Sequence, residues 1–150
     1  MKYAVTGLCA LVCVLALATS AHAETAQEAR NKQIAIAFYN AALNEKNWDK
    51  ARTYIGPRYV QHSIYMEDGP AGLEDLVKRI KKQFPDNRGE IKLAFADGDI
   101  VVLYLHVTRT RQDPGWAVIE MMRLKNDKVV EHWDDLQRIP KAAAGKNPIF

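Results

Sequence analysis

Past residue 13 this chain of 150 residues contains no cysteine. Both cysteines, Cys9 and Cys13, sit in an apolar N-terminal run. The remainder can therefore form no disulfide framework and offers no thiol nucleophile. Charge of one sign is also scarce: 21 basic residues against 18 acidic ones give a formal +3 at pH 7. Nucleic-acid binding is not expected, because it calls for a basic stripe and a high domain charge. The densest cluster, Lys78-Arg79-Ile80-Lys81-Lys82, reads as the solvated face of a helix. H-E-x-x-H, a Cys cluster and a close His pair are missing, and His62, His106 and His132 are scattered, so no metal site is expected. There is no G-x-S-x-G and no glycine-rich phosphate loop, so neither a serine nucleophile elbow nor a nucleotide cofactor is expected. Repeats and low-complexity stretches are absent too.

What is present begins with a three-part export pattern. Lys2 supplies a positive start, residues 4 to 18 form an apolar run, and Ala21-His22-Ala23 places small residues at a cleavage site. The run is too short to cross a bilayer comfortably, which takes about 20 residues. The sequence predicts a signal peptide over 1–23, a domain over 24–139 and a surface tail over 140–150. The expected location is periplasmic or secreted, with no membrane contact once the signal is removed.

The first half is patterned for helices. Thr25 and Glu28 fit a capping box, and Ile34, Phe38 and Ala42 recur at helical spacing to about Leu43. A second helix is predicted from Trp48 to Tyr54, stopped by Gly56-Pro57. A third opens at Gly69-Pro70 and ends at Pro85, with Glu74 and Asp75 expected in its first turn and Lys81 and Lys82 in its last. Residues 89–97, 99–111, 115–125 and 128–138 read as strands, joined by turns at Asp97-Gly98 (type I′), Asp113-Pro114-Gly115 and Asn126-Asp127. The fold class is α+β: N-terminal helices packed on a strongly bent antiparallel sheet, an open cone with an internal pocket.

Strand alternation groups Trp116, Val118, Glu120 and Met122 on one face, His132, Asp134 and Leu136 on another, and Tyr104, His106 and Thr108 on a third. Pointed into one hollow, these sets give apolar walls with two imidazoles and two carboxylates, the make-up of a small-molecule pocket. Glu120 among Val118, Met122 and Leu124 is difficult to place as plain core, since an unpaired buried carboxylate is costly. The complementary set Val101, Leu103, Leu105, Val107, Ile119 and Met121 reads as an apolar outer face, which predicts a homodimer through the sheet.

Tyr59-Val60-Gln61-His62, Asp97-Gly98-Asp99, Ala117-Val118-Ile119-Glu120, Arg123-Leu124 and Glu131-His132-Trp133-Asp134, in this order, resemble the SnoaL-like family of the nuclear transport factor 2-like (cystatin-like cone) superfamily. The resemblance covers about residues 28 to 139. It implies a cofactor-free cyclase that closes a ring by intramolecular aldol condensation, with Asp134 as general acid/base on the last strand. His132 or His62 would orient it or donate to the oxygen, with Glu120 as a further carboxylate. Tyr104, His106, Trp116, Met122, Gln61 and Tyr59 would contact a small hydrophobic ligand. The cone hosts many activities. Two readings stand: a cofactor-free cyclase, isomerase or lyase acting on a carbonyl compound, and a non-catalytic binding domain of the same fold.

Overall fold

The computed structural model describes residues 23–142 and 145–150. The expected signal peptide, 1–23, lies outside the described residues except for Ala23. Helix α1, Ala26–Tyr39, starts with the expected capping box: Glu28 N donates to Thr25 Oγ1 at 3.2 Å, and Thr25 N to Glu28 Oε2 at 2.7 Å. Glu28 is buried, and its Oε1 accepts from Gly98 N at 2.8 Å, tying the helix start to a hairpin turn. The helix widens into a π-helical turn over Asn40–Asn44. There the Asn44 amide pairs with both backbone groups of Gly89, at 2.8 and 3.0 Å.

Helix α2 is shorter than expected, Trp48–Ala51, and α3 spans Gly69–Gln83. Glu74 and Asp75 fall in the second turn of α3 rather than the first, while Lys81 and Lys82 occupy its last turn. Among the described residues no helix is long and apolar enough to cross a membrane.

Five strands follow or interleave: β1 Ile55–Gln61, β2 Arg88–Asp97, β3 Ile100–Thr108, β4 Trp116–Lys125 and β5 Lys128–Arg138. They form one sheet in the order β1-β5-β4-β3-β2. The β2–β5 pairings are antiparallel as expected, but β1 joins β5 in parallel, so the sheet is mixed. Gly56-Pro57 lies inside β1, where a helix stop was expected. Proline is tolerated there because β1 is an edge strand, and its register slips between Ile55 and Val60. Asn126 and Asp127 both take positive φ, the type I′ signature; at Asp97-Gly98 only Gly98 does, which fits II′.

The core lies between the helices and one face of the sheet. Val101, Leu103 and Leu105 are fully buried there and Val107 packs against them. This corrects their expected place on an outer face. Their neighbours Val102, Tyr104 and His106 point the other way, with Leu93 and Phe95 of β2 and Ile119 and Met121 of β4. Both phases of β3 carry apolar residues; the purely aliphatic set takes the dry side and the set with polar tips the wet one. Ile149 and Phe150 cross that outer face. Tyr104 Oη donates to Ile149 O at 3.0 Å, and the Phe150 ring lies 4.8 Å from His106.

Candidate active site

Between α1, α3 and the inner face of the sheet lies a cavity of about 740 Å³. The β4 phase brings Trp116, Val118, Glu120 and Met122 to it, and the β5 phase His132, Asp134 and Leu136. Register fixes their order, with Trp116 opposite Arg138, Val118 opposite Leu136, Glu120 opposite Asp134, and Met122 opposite His132.

Glu120 and His132 are both buried, at 6 % and 5 % exposure. His132 Nδ1 meets Gln61 Oε1 at 2.8 Å, and its Nε2 is in short hydrogen-bond contact with Glu120 Oε2. The Gln61 amide is oriented by two further bonds: its Nε2 donates to Tyr59 Oη at 2.8 Å, and its Oε1 accepts from Ser63 N at 2.9 Å. An amide oxygen can only accept, so Nδ1 must carry a hydrogen. One further proton is then shared between Nε2 and the Glu120 carboxylate. Whichever atom holds it, the pair is neutral overall and no buried charge is left uncompensated.

Asp134 is half-buried on the same wall. Burial raises its pKa above the ordinary carboxylate value, a hydrogen bond from Ser63 Oγ to its Oδ2 at 2.8 Å pulls it back, and the upward push of Glu120 is opposed by its partner His132. Among the described residues only Oδ2 accepts a hydrogen bond. Tyr59 lies on the cavity wall, its hydroxyl accepting from Gln61 and its own proton without an acceptor among the described residues. Burial, with the negative charge of Glu120, drives that hydroxyl far from ionisation. Tyr39, also on the wall, is 2 % exposed, and its hydroxyl has no hydrogen-bond partner among the described residues.

Of the residues singled out in the sequence, Asp134, His132, Glu120, Tyr59, Trp116 and Met122 line the cavity, and Gln61 backs it through His132. Three do not. His62 turns to the outer face, stacked on Trp133 at 4.7 Å between ring centroids, with Nε2 at 2.9 Å from Glu131 Oε1. Tyr104 and His106 face outward by the phase of β3, and His106 Nε2 donates to Pro114 O at 2.8 Å, bracing the β3–β4 loop. The sequence offers no nucleophile context for Ser63 and gives Tyr39 no role beyond the apolar pattern of α1. Ser63 was within reach, because it continues the period of two set by Tyr59 and Gln61; nothing in the sequence marks Tyr39 apart from other core aromatics. Among the described residues no three His, Cys, Asp or Glu side chains are gathered so as to hold a metal ion.

The family model of the SnoaL-like polyketide cyclases matches residues 33–143. No curated protein matches the chain in sequence. Among solved structures it is similar to AclR, a candidate hydroxylase from Streptomyces galilaeus, at 27% identity and a TM-score of 0.63, over 75% of this chain and 82% of that one. It is also similar to a candidate polyketide cyclase from Acidithiobacillus ferrooxidans, at 25% identity and a TM-score of 0.63, over 73% and 89% of the two chains. A candidate ketosteroid isomerase from Kribbella flavida shares the fold at 11% identity, with a TM-score of 0.64 over 83% and 90%.

Proposed function

Because the chain belongs to the SnoaL-like polyketide cyclase family, we propose that it is a cofactor-free cyclase, isomerase or lyase moving protons on a small hydrophobic carbonyl compound. One observation carries this reading: Asp134, its proton affinity raised by burial, stands on the cavity wall beside the buried Glu120–His132 pair. Asp134 takes a proton from the carbon alpha to the carbonyl, and its raised pKa makes it a stronger base than an exposed aspartate. The Glu120–His132 pair, which holds one transferable proton, delivers it to the developing oxyanion, and the Tyr59 hydroxyl adds a hydrogen bond to that oxygen. The enol carbon then takes the proton back from Asp134 at another position, giving isomerisation, or attacks a second carbonyl whose new alkoxide takes that proton, closing a ring; in either case the enol oxygen returns its proton to the Glu120–His132 pair as the carbonyl re-forms.

The second reading, a passive binding domain, is favoured by one feature: Glu120 and His132 satisfy each other, as buried polar groups do in an inert core. Exchange of α-protons in D2O, followed by proton NMR across a panel of ketones, separates the two without knowledge of the product. The enzyme reading expects exchange by the wild type and a loss of about 100-fold or more in Asp134→Asn. Exchange that is equal in both proteins sinks it.

We further propose that the protein works after export, supported by the signal-like pattern over 1–23. A homodimer through the outer sheet face is supported by Phe95, Leu93 and Ile119, which are 58 %, 51 % and 45 % exposed.

A further inference from the structure

Trp116 is held between two guanidinium groups. Arg138 Cζ lies 4.2 Å and Arg109 Cζ 4.6 Å from its ring centroid, and Arg109 also sits 4.2 Å over the ring of Phe84. All four residues line the cavity, and Arg79 joins them from α3. Their charges are not equally met. Arg138 is paired with Asp113 at 2.7 Å, and among the described residues Arg79 reaches only the carbonyl of Tyr65, at 3.4 Å. The Arg109 guanidinium has no carboxylate partner among the described residues.

The acids lining the cavity, Glu120 and Asp134, lie four residues further in along β4 and β5. At roughly 3.3 Å per residue that is about 13 Å from the Trp116–Arg138 row. Val118 and Leu136 fill the interval. The cavity is therefore polarised, with acid/base groups at one end, an apolar middle, and cations backed by aromatic rings at the other. Packing on Trp116 accounts for Arg138, which Asp113 neutralises. Arg109 packs on the same ring and on Phe84 but keeps an unneutralised charge at an exposed position on the rim, so its planar fork is oriented by two rings while its donors face a ligand.

We propose that this end of the cavity binds the carboxylate of an extended, planar, apolar acid, so that the substrate is a carbonyl compound whose carboxylate lies at the opposite end of the molecule from the carbon presented to Asp134. The identity of the reacting end rests on the acid/base reading above; the anion site does not.

Calorimetry with 2-naphthoate and its methyl ester tests the site, since the two differ in charge but hardly in shape. The wild type should bind the acid about tenfold more tightly at low salt, and about 0.5 M NaCl should narrow the gap. Arg109→Gln should bring the acid to within about twofold of the ester while leaving ester affinity unchanged. Arg79→Gln, on a different element, provides the check should Arg109→Gln perturb the loop. Equal affinity for acid and ester, a preference surviving both substitutions, or no binding of either compound at millimolar concentration would each overturn the site. Asp134→Asn separates this from the catalytic reading, because it should abolish α-proton exchange and keep the acid preference. A protein that prefers the acid but exchanges no proton refutes the catalytic reading alone.

Discussion

Glu120 stands directly opposite Asp134 in the β4–β5 ladder, yet its carboxylate reaches diagonally to His132. That diagonal leaves Asp134 to Ser63 and the cavity, and it divides three ionisable side chains into a self-contained pair and a single accessible carboxyl.

The pair should be costly to break and cheaper to remove. Glu120→Leu alone leaves a buried imidazole without its partner and should destabilise the fold by about 3 kcal/mol. Glu120→Leu with His132→Phe removes both polar groups and should cost clearly less than the sum of the single changes. Urea unfolding of the four proteins gives the coupling, and strictly additive losses would refute the shared-proton arrangement.

Asp134 makes stability depend on pH with a definite sign. Its native pKa is raised, chiefly by burial, so the protonated form favours folding. That contribution is complete below the unfolded value near 3.9 and is lost as pH rises through the native value. Asp134→Asn should therefore be more stable than wild type at pH 7, with the gain shrinking as pH falls toward 4. Ser63→Ala, which removes the bond that lowers this pKa, should move the carboxyl midpoint further up. A carbon-13 NMR titration with an unmoved midpoint would contradict it.

Much of this geometry was legible in the residues. Thr25 and Glu28 announced the start of α1, because a capping box is a local device satisfied by neighbouring atoms. The phases of β4 and β5 were legible too, since Glu120 interrupts an otherwise apolar set and His132 and Asp134 lie two apart on the facing strand. The phase of β3 was not: Val101 to Val107 is apolar at nearly every position, and only the cover of helices decides which set is dry. Nor was the parallel β1. Its partner is more than sixty residues away in sequence, pairing Gln61 with His132, and its Gly56-Pro57 carries a turn signal that an edge position overrides. The orientation of His62 was lost with it.

Tyr39 predicts a gain in stability from a deletion. Its buried hydroxyl has no partner among the described residues, so Tyr39→Phe should raise the unfolding free energy by about 1 kcal/mol. The neighbouring Gly89→Ala should do the opposite, since a Cβ there would meet Tyr39 Oη at 2.0 Å and Cζ at 2.7 Å. A loss of about 2 kcal/mol is expected from such overpacking. Combining the two should recover only part of that loss, because the ring carbon still collides after the hydroxyl has gone. Chemical denaturation of the single and double variants checks each step, and a destabilised Tyr39→Phe would mean that the hydroxyl has a partner after all.

The outer sheet face carries the last prediction. Phe95 is 58 % and Leu93 51 % exposed, side by side on β2, while Tyr104 beside them is bound by the tail through Ile149 O. If a second copy covers this patch, Phe95→Lys puts a charge into its apolar centre and should weaken the dimer by about 2 kcal/mol or more, roughly thirtyfold in dissociation constant. The same substitution in a monomer touches only water and should leave stability nearly unchanged. Light scattering across a micromolar dilution series, on wild type and Phe95→Lys together, distinguishes the cases. A wild type that is monomeric throughout removes the dimer, and a Phe95→Lys variant that remains dimeric moves the interface to another face.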